Sequence, residues 1–181
     1  MAECSPGDPA WLQPGTLDLC ALLLASHQRS FGRPLIPGRG LRLLAQELFT
    51  SEQVVLAHGC GSDPCLTYAN RAALWLWGRP WAVMVGMPSR LTAAPQERVA
   101  RAQALDRARA DIALRGYSGI RIDRQGRRFR IRNARLWCLR DAGGHDRGQA
   151  ACFSDWCWID PPPKSGADRF PSLRGTGNRT W

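Results

Sequence analysis

A tight turn between two short apolar runs, closed by an asparagine that opens an Ala- and Leu-rich stretch, constrains this chain more than any other feature. Val54, Val55 and Leu56 form the first run, which ends at His58-Gly59. Ser62-Asp63-Pro64 supplies the turn, and Cys65-Leu66-Thr67-Tyr68-Ala69 the second run. Runs of this length bounded by Gly, Ser, Asp and Pro read as strands. Asn70 then reads as a helix N-cap, because its side-chain oxygen can accept an orphaned amide hydrogen of the first helical turn. The predicted order is strand, turn, strand, capped helix.

The rest of the chain extends that pattern. Helical spacing of Leu19, Leu22, Leu23, Ser26 and Ser30 predicts a helix over 17–31, with Thr16 as its cap and Gly32-Arg33-Pro34 as its stop. A shorter amphipathic helix is expected over 41–49. Strands at 53–58 and 65–69 precede the Asn70 helix, which runs to Trp77. Pro80, Gly86 and Pro88 make 78–94 irregular. A long polar helix over 95–115 follows, with Val99, Ala102, Leu105, Ala108 and Ile112 as its apolar stripe and its arginines on a solvated face. Three strands close the chain, at 117–123, 127–139 and 149–158, joined by Gly-rich turns. Ile120 and Ile122 fall on one face of the first of these, Arg121 and Asp123 on the other. Asn133-Ala134 breaks the alternation of the second and predicts a bulge. Residues 1–16 are expected to be loose and 159–181 disordered, leaving one domain over 17–158.

Several separated motifs occur in an order that resembles the MEKHLA domain family. They are Asp63-Pro64, the run from Tyr68 to Leu74, Trp77, the run from Pro88 to Ala93, Gly116 to Arg121, Gly126 to Ile131, and Gly148 to Ala151. The resemblance implies an α+β, PAS-like fold: a five-stranded antiparallel sheet curled over short helices, preceded by a helical extension. It supplies neither a ligand nor a reaction. A small cavity between sheet and helices is a natural ligand site.

Composition narrows the class. At 181 residues and 44% hydrophobic, the chain is long and apolar enough for one packed domain. It has no apolar run near the roughly 20 residues of a membrane helix. Its start lacks the basic and apolar regions of a signal peptide, so the expectation is a cytosolic protein that does not enter membranes. Seven cysteines are then expected to be free thiols, mostly buried. The formal net charge of +10 would suit nucleic acid. However, Lys164 is the only lysine, and so strong an arginine bias also follows from a GC-rich genome.

The candidate chemistry is sparse. Covalent flavin photosensing needs a cysteine just after the cap asparagine, and Arg71-Ala72-Ala73 stands there. The usual haem ligand on the long helix is missing, since 95–115 holds no histidine. No metal is expected, because the spacing of His58, Cys60 and Cys65 departs from the paired cysteines of zinc sites. His58 and Asp63 flank one turn and read either as an acid–base pair or as a structural histidine beside its turn. Ser89, Arg90 and Thr92 lie over the presumed cavity mouth. There Arg90 would hold a carboxylate or phosphate through two parallel bonds, or else pair with an acidic side chain while Ser89 caps a turn. Gln149 opens the last strand, where it would sense a ligand or bond to backbone. Tyr68, Asn70 and Trp77 complete the candidate ligand-lining set. Trp156 and Trp158 share a sheet face expected to receive the N-terminal helix or a partner. These residues point to a non-catalytic sensory or protein-interaction domain with an unnamed small ligand and a protein partner or second copy of itself. The alternatives are a small cavity enzyme using His58 and Asp63, or an Arg-rich nucleic-acid binder.

Overall fold

A computed structural model describes residues 7–160. The strand pair, turn and capped helix that open the pattern are all present. β1 (Val54–His58) pairs antiparallel with β2 (Leu66–Ala69), and α3 (Arg71–Trp77) follows directly. Ahead of them stand α1 (Pro14–Phe31) and α2 (Leu41–Thr50). After them come a short α4 (Trp81–Met84), α5 (Arg98–Ala110), β3 (Ala113–Ile122), β4 (Arg128–Arg140), β5 (Asp146–Phe153) and β6 (Asp155–Trp158). All the pairings are antiparallel, and the sheet runs β2-β1-β5-β4-β3, with β6 paired to β4. β6 is the continuation of β5 past Ser154, on the same partner strand. The predicted last strand thus counts as two, giving six.

Local chemistry explains the element ends. Pro14 sits in the first turn of α1, where its missing N–H costs nothing. Gly32 stops the helix at φ 71°, a left-handed value that suits glycine, and its N–H bonds the Gln28 carbonyl. The start therefore falls three residues before the predicted one, and the Thr16 hydroxyl bonds the Ala10 carbonyl instead of capping. Just before it, residues 10–12 form a 3-10 turn, and Trp11 stacks on Phe49 with ring centroids 3.8 Å apart. Of the segments expected to be loose or disordered, residues 1–6 and 161–181 lie outside the described residues, whereas 10–16 are not loose: they hold the 3-10 turn and the first turn of α1.

Both faces of the sheet are covered, which is why β1 reads as a continuous apolar run. On the outer face, Leu17, Cys20, Leu23 and Phe31 of α1 and Ala45 and Leu48 of α2 pack on Val55, Ala57, Tyr68, Trp137, Leu139 and Cys152. On the inner face, Ala73, Leu76 and Trp77 of α3 meet Val54, Leu66, Phe129, Ile131 and Phe153. α5 closes the inner side through Ala104 and Ala108, whose small side chains let it sit close on Leu136.

Three sequence expectations need correction. The stripe expected on the long helix is not the buried one: Val99 is 68% exposed, and Ile112 has left the helix at φ 66°. Ala104 and Ala108 do the packing instead. Trp156 and Trp158 do not receive α1. They pack edge-on against Phe129, with Trp75 beside Trp156, while α1 docks on Trp137. Among the described residues the thiols are not mostly buried either, since Cys60, Cys65 and Cys157 are exposed and Cys20, Cys138 and Cys152 buried. The bulge at Asn133 is present, at φ 52°. It shifts the inward positions of β4 from Phe129 and Ile131 to Ala134 and Leu136.

Candidate functional site

The inner face of the sheet and the first turns of α5 enclose a cavity of about 50 Å³. That is room for about four water-sized groups, far below the ~300–1,000 Å³ of sites that bury drug-sized ligands. Of the residues expected at the site, His58, Trp77, Thr92 and Gln149 line it.

His58 ends β1 and is buried. Its Nδ1–H donates to the Gly59 carbonyl at 2.8 Å, which leaves Nε2 as a bare acceptor. Nε2 is buried without a partner. Burial, with help from the charges of Arg101 and Arg109, holds the imidazole pKa below its ordinary value. Gln149 pairs with His58 across the β1–β5 ladder. Its amide nitrogen donates to the Leu105 carbonyl of α5 at 2.8 Å, and Oε1 is left buried and unpartnered. Gly148, at φ 121°, holds this corner together. A Cβ there would run into the His58 carbonyl oxygen, so only glycine lets the two strands approach. On the far wall the Trp77 indole N–H donates to the Thr92 carbonyl at 3.3 Å, and the Thr92 hydroxyl to the Ser89 carbonyl at 2.7 Å. Both residues serve the 3-10 turn Ser89–Thr92. Ser89 is itself buried, its hydroxyl unpartnered.

The other expected residues lie elsewhere. Asp63 and Arg90 face solvent and pair with each other at 3.0 Å, so Asp63 is not the partner of His58. Tyr68 is on the opposite face of the sheet, against Cys20 and Trp81. A register shift opposite Ala57 and His58 puts Leu66 inward and Tyr68 outward, as one extra strand residue must. Asn70 is buried and spent on backbone. Its Oδ1 accepts from the N–H groups of Ala73 and Val55, and its amide nitrogen reaches the carbonyls of Leu48, Ser51 and Gln53.

The two charged residues of the cavity, Arg101 and Arg121, were not foreseen. The signals were present. Positions 101, 104 and 108 keep the spacing of one helix face, whose alanines are buried. Along β3, Tyr117, Gly119, Arg121 and Asp123 share a face, and it is this polar face that points inward: Arg121 and Asp123 are buried, Ile120 and Ile122 only half-buried. A second depression, shallow and about 360 Å³, lies on the outer side between Arg33, Arg115, Arg132 and Arg135. Among the described residues no group of three or more His, Cys, Asp or Glu is placed to hold a metal. No helix there is long and apolar enough to cross a membrane.

An antiparallel sheet in this order, with a small cavity under a helix, defines a PAS-like domain, the fold of a class of sensory modules. The MEKHLA domain model matches residues 17–158, and the chain belongs to that family. Among solved structures, the PAS domain of a protein from Colwellia psychrerythraea is similar at 12% identity and a TM-score of 0.56, over 62% of this chain and 92% of that one. A light-oxygen-voltage domain studied with a flavin analogue is similar at 17% identity and a TM-score of 0.52, over 65% and 85%. An RNA-binding light-oxygen-voltage receptor gives 17% and 0.52 over 84% of this chain but only 35% of that one. No curated protein matches the sequence significantly.

Proposed function

We propose that the chain is a non-catalytic sensory domain that takes a small molecule into the inner cavity and passes the change in occupancy through the sheet to α1 and a protein partner, for which a second copy of the chain is the simplest candidate. The observation that carries this reading is the pair of buried, unpartnered acceptors on the cavity wall, His58 Nε2 and Gln149 Oε1. Buried polar atoms are normally paired, with protein, water, an ion or a ligand, and these two belong to residues that face one another as a β-ladder pair on the wall of the same cavity. Gln149 also bonds α5 and stands beside the outer-face residues Ala150 and Cys152, so a ligand that pulls on it acts on both layers. A native mass spectrum of protein purified from its host tests the reading. A retained small molecule, lost on denaturation, supports it. An empty protein whose hydrogen exchange in α5 and α1 is unmoved by a metabolite library counts against it.

A second reading rests on the outer depression, where four arginines gather around one carboxylate, Asp155. Such a surface suits a polyanion, and RNA binding is named for one structural neighbour. Binding to single-stranded RNA that weakens steeply with salt would favour it. Binding absent even at low salt removes it.

A further inference from the structure

Two arginines line the inner cavity, Arg101 from α5 and Arg121 from β3. Neither forms an ion pair among the described residues. Arg121 is only 6% exposed. Its Nη1 donates to the Ile120 carbonyl at 2.9 Å and its Nη2 to the Tyr117 hydroxyl at 3.0 Å, both neutral acceptors. The next carboxylate on that face, Asp123, is already held by Arg127 at 2.7 Å and by the N–H groups of Gln125 and Arg127. Gly119 makes the arrangement possible: a Cβ there would stand 2.6 Å from the Tyr117 hydroxyl and 3.1 Å from Arg121 Nη1. Burial, and the like charge of Arg121, push Arg101 down to about 10. Two like charges beside one enclosed space, with no counter-ion, are costly unless something negative joins them.

The cavity also fixes what else that ligand must carry. His58 Nε2 and Gln149 Oε1 are acceptors only, so they ask for an O–H or N–H from the ligand. An ammonium would bring a third positive charge beside the two arginines, so a neutral hydroxyl fits better. Apart from Thr92, whose hydroxyl is spent on the Ser89 carbonyl, the remaining lining is largely apolar, with Leu56, Leu66 and Ile131, and the volume is small. We propose that Arg101 and Arg121 form the anion-holding wall of the cavity, and that its ligand is a small hydroxylated carboxylate whose hydroxyl donates to His58 or Gln149. This rests on the sensory reading above and names its ligand class. Arg90, on the outside and paired with Asp63, takes no part.

The test is calorimetric titration and thermal melting of the full chain with glycolate, lactate, acetate and inorganic phosphate at matched ionic strength. Saturable binding of glycolate or lactate, at least tenfold tighter than acetate and phosphate, is expected. Arg101→Gln and Arg121→Gln should each abolish it, and Arg90→Gln should keep it. Arg121 has internal hydrogen bonds to lose, so Arg121→Gln can fail to fold. Arg101 makes no hydrogen bond to a described residue, and the ligand-free Arg101→Gln protein should melt no lower than wild type. Equal response to all four anions, no response to any, or binding that survives Arg101→Gln overturns the proposal. A neutral or cationic molecule retained in the native mass spectrum also overturns it, while leaving the sensory reading standing.

Discussion

Arg135 on β4 donates through Nη1 to His27 Nε2 on α1 at 2.8 Å, across the contact between sheet and N-terminal helix. His27 Nδ1 lies 3.1 Å from the Arg33 carbonyl, so the proton sits on Nδ1 and the neutral ring satisfies both bonds. His27 is fully buried. Burial first, then the charge of Arg135, with smaller effects of the Arg33 and Arg115 charges, pushes its pKa down to about 4 against the bond to the Arg33 carbonyl.

That shift sets the first expectation, a pH dependence. The unfolded chain protonates this histidine below about 6.5, whereas the folded protein resists until about 4. Between those values the unfolded state binds more protons, so stability falls as pH drops through the window and is fully present above it. The loss at the low end is on the order of 3 kcal/mol. Urea unfolding at steps from pH 7 to pH 4.5 measures it. His27→Gln, which keeps one donor and one acceptor, should remove most of the slope. An unchanged slope in that variant would assign the effect to other groups.

Asn70 joins three elements through one side chain, and its loss should be correspondingly expensive. Asn70→Ala removes two accepted bonds and the donations to the carbonyls that end α2 and lead into β1. A helix cap alone is worth about 1 kcal/mol, and each buried group left unsatisfied costs roughly 1–3 kcal/mol more. We expect a loss of about 3–5 kcal/mol in chemical denaturation. Asn70→Asp should be nearly as damaging, because it keeps the acceptor but buries a charge and loses the donors. A loss under about 1 kcal/mol would reduce Asn70 to an ordinary cap.

Asn70 also shows how far the sequence could be read. Its position after two short strands announced helix, cap and sheet together, because capping and strand alternation are local physics. The Asn133 bulge was legible for the same reason: asparagine tolerates the left-handed backbone and the alternation breaks there. Faces were harder. Alternation separated Arg121 and Asp123 from Ile120 and Ile122, but could not say which pair pointed inward, since that depends on what α5 brings to the other side. Arg101 was hidden among exposed arginines of the same helix. Tyr68 was misplaced because the register shift beside it leaves no mark in composition. The receiver of α1 was likewise a tertiary choice, made by Trp137 and not by Trp156 and Trp158.

The Asp63–Arg90 pair should matter little to stability. Both side chains are about half exposed, and such pairs contribute ~0–1 kcal/mol and weaken with salt. Arg90→Gln is therefore expected to shift the unfolding free energy by less than about 1 kcal/mol, and by less again at high salt. A larger loss that salt does not reduce would mean that Arg90 anchors the loop by something other than charge.

Removing α1 should be the most disruptive change at the periphery of the domain. The helix buries Leu17, Cys20, Leu23 and Phe31 against the outer face of the sheet, and His27 and Phe31 lie edge-on to Trp137 at 5.1 and 6.0 Å. Each large apolar side chain contributes roughly 1.5–3 kcal/mol when buried. Three of them approach the whole stability of a typical domain, about 5–15 kcal/mol. Without the helix, Trp137, Leu139 and Cys152 would face water on a continuous sheet surface, a patch of the kind that drives association. Deleting residues 1–32 should therefore give a protein that aggregates or melts without a cooperative transition. The milder Leu23→Ala should fold and lose about 2–5 kcal/mol, the usual cost of a cavity at a buried leucine. Scattering and thermal melts read both variants. A truncated chain that stays monodisperse and melts at the wild-type temperature would show that the helix rests on the sheet without supporting it.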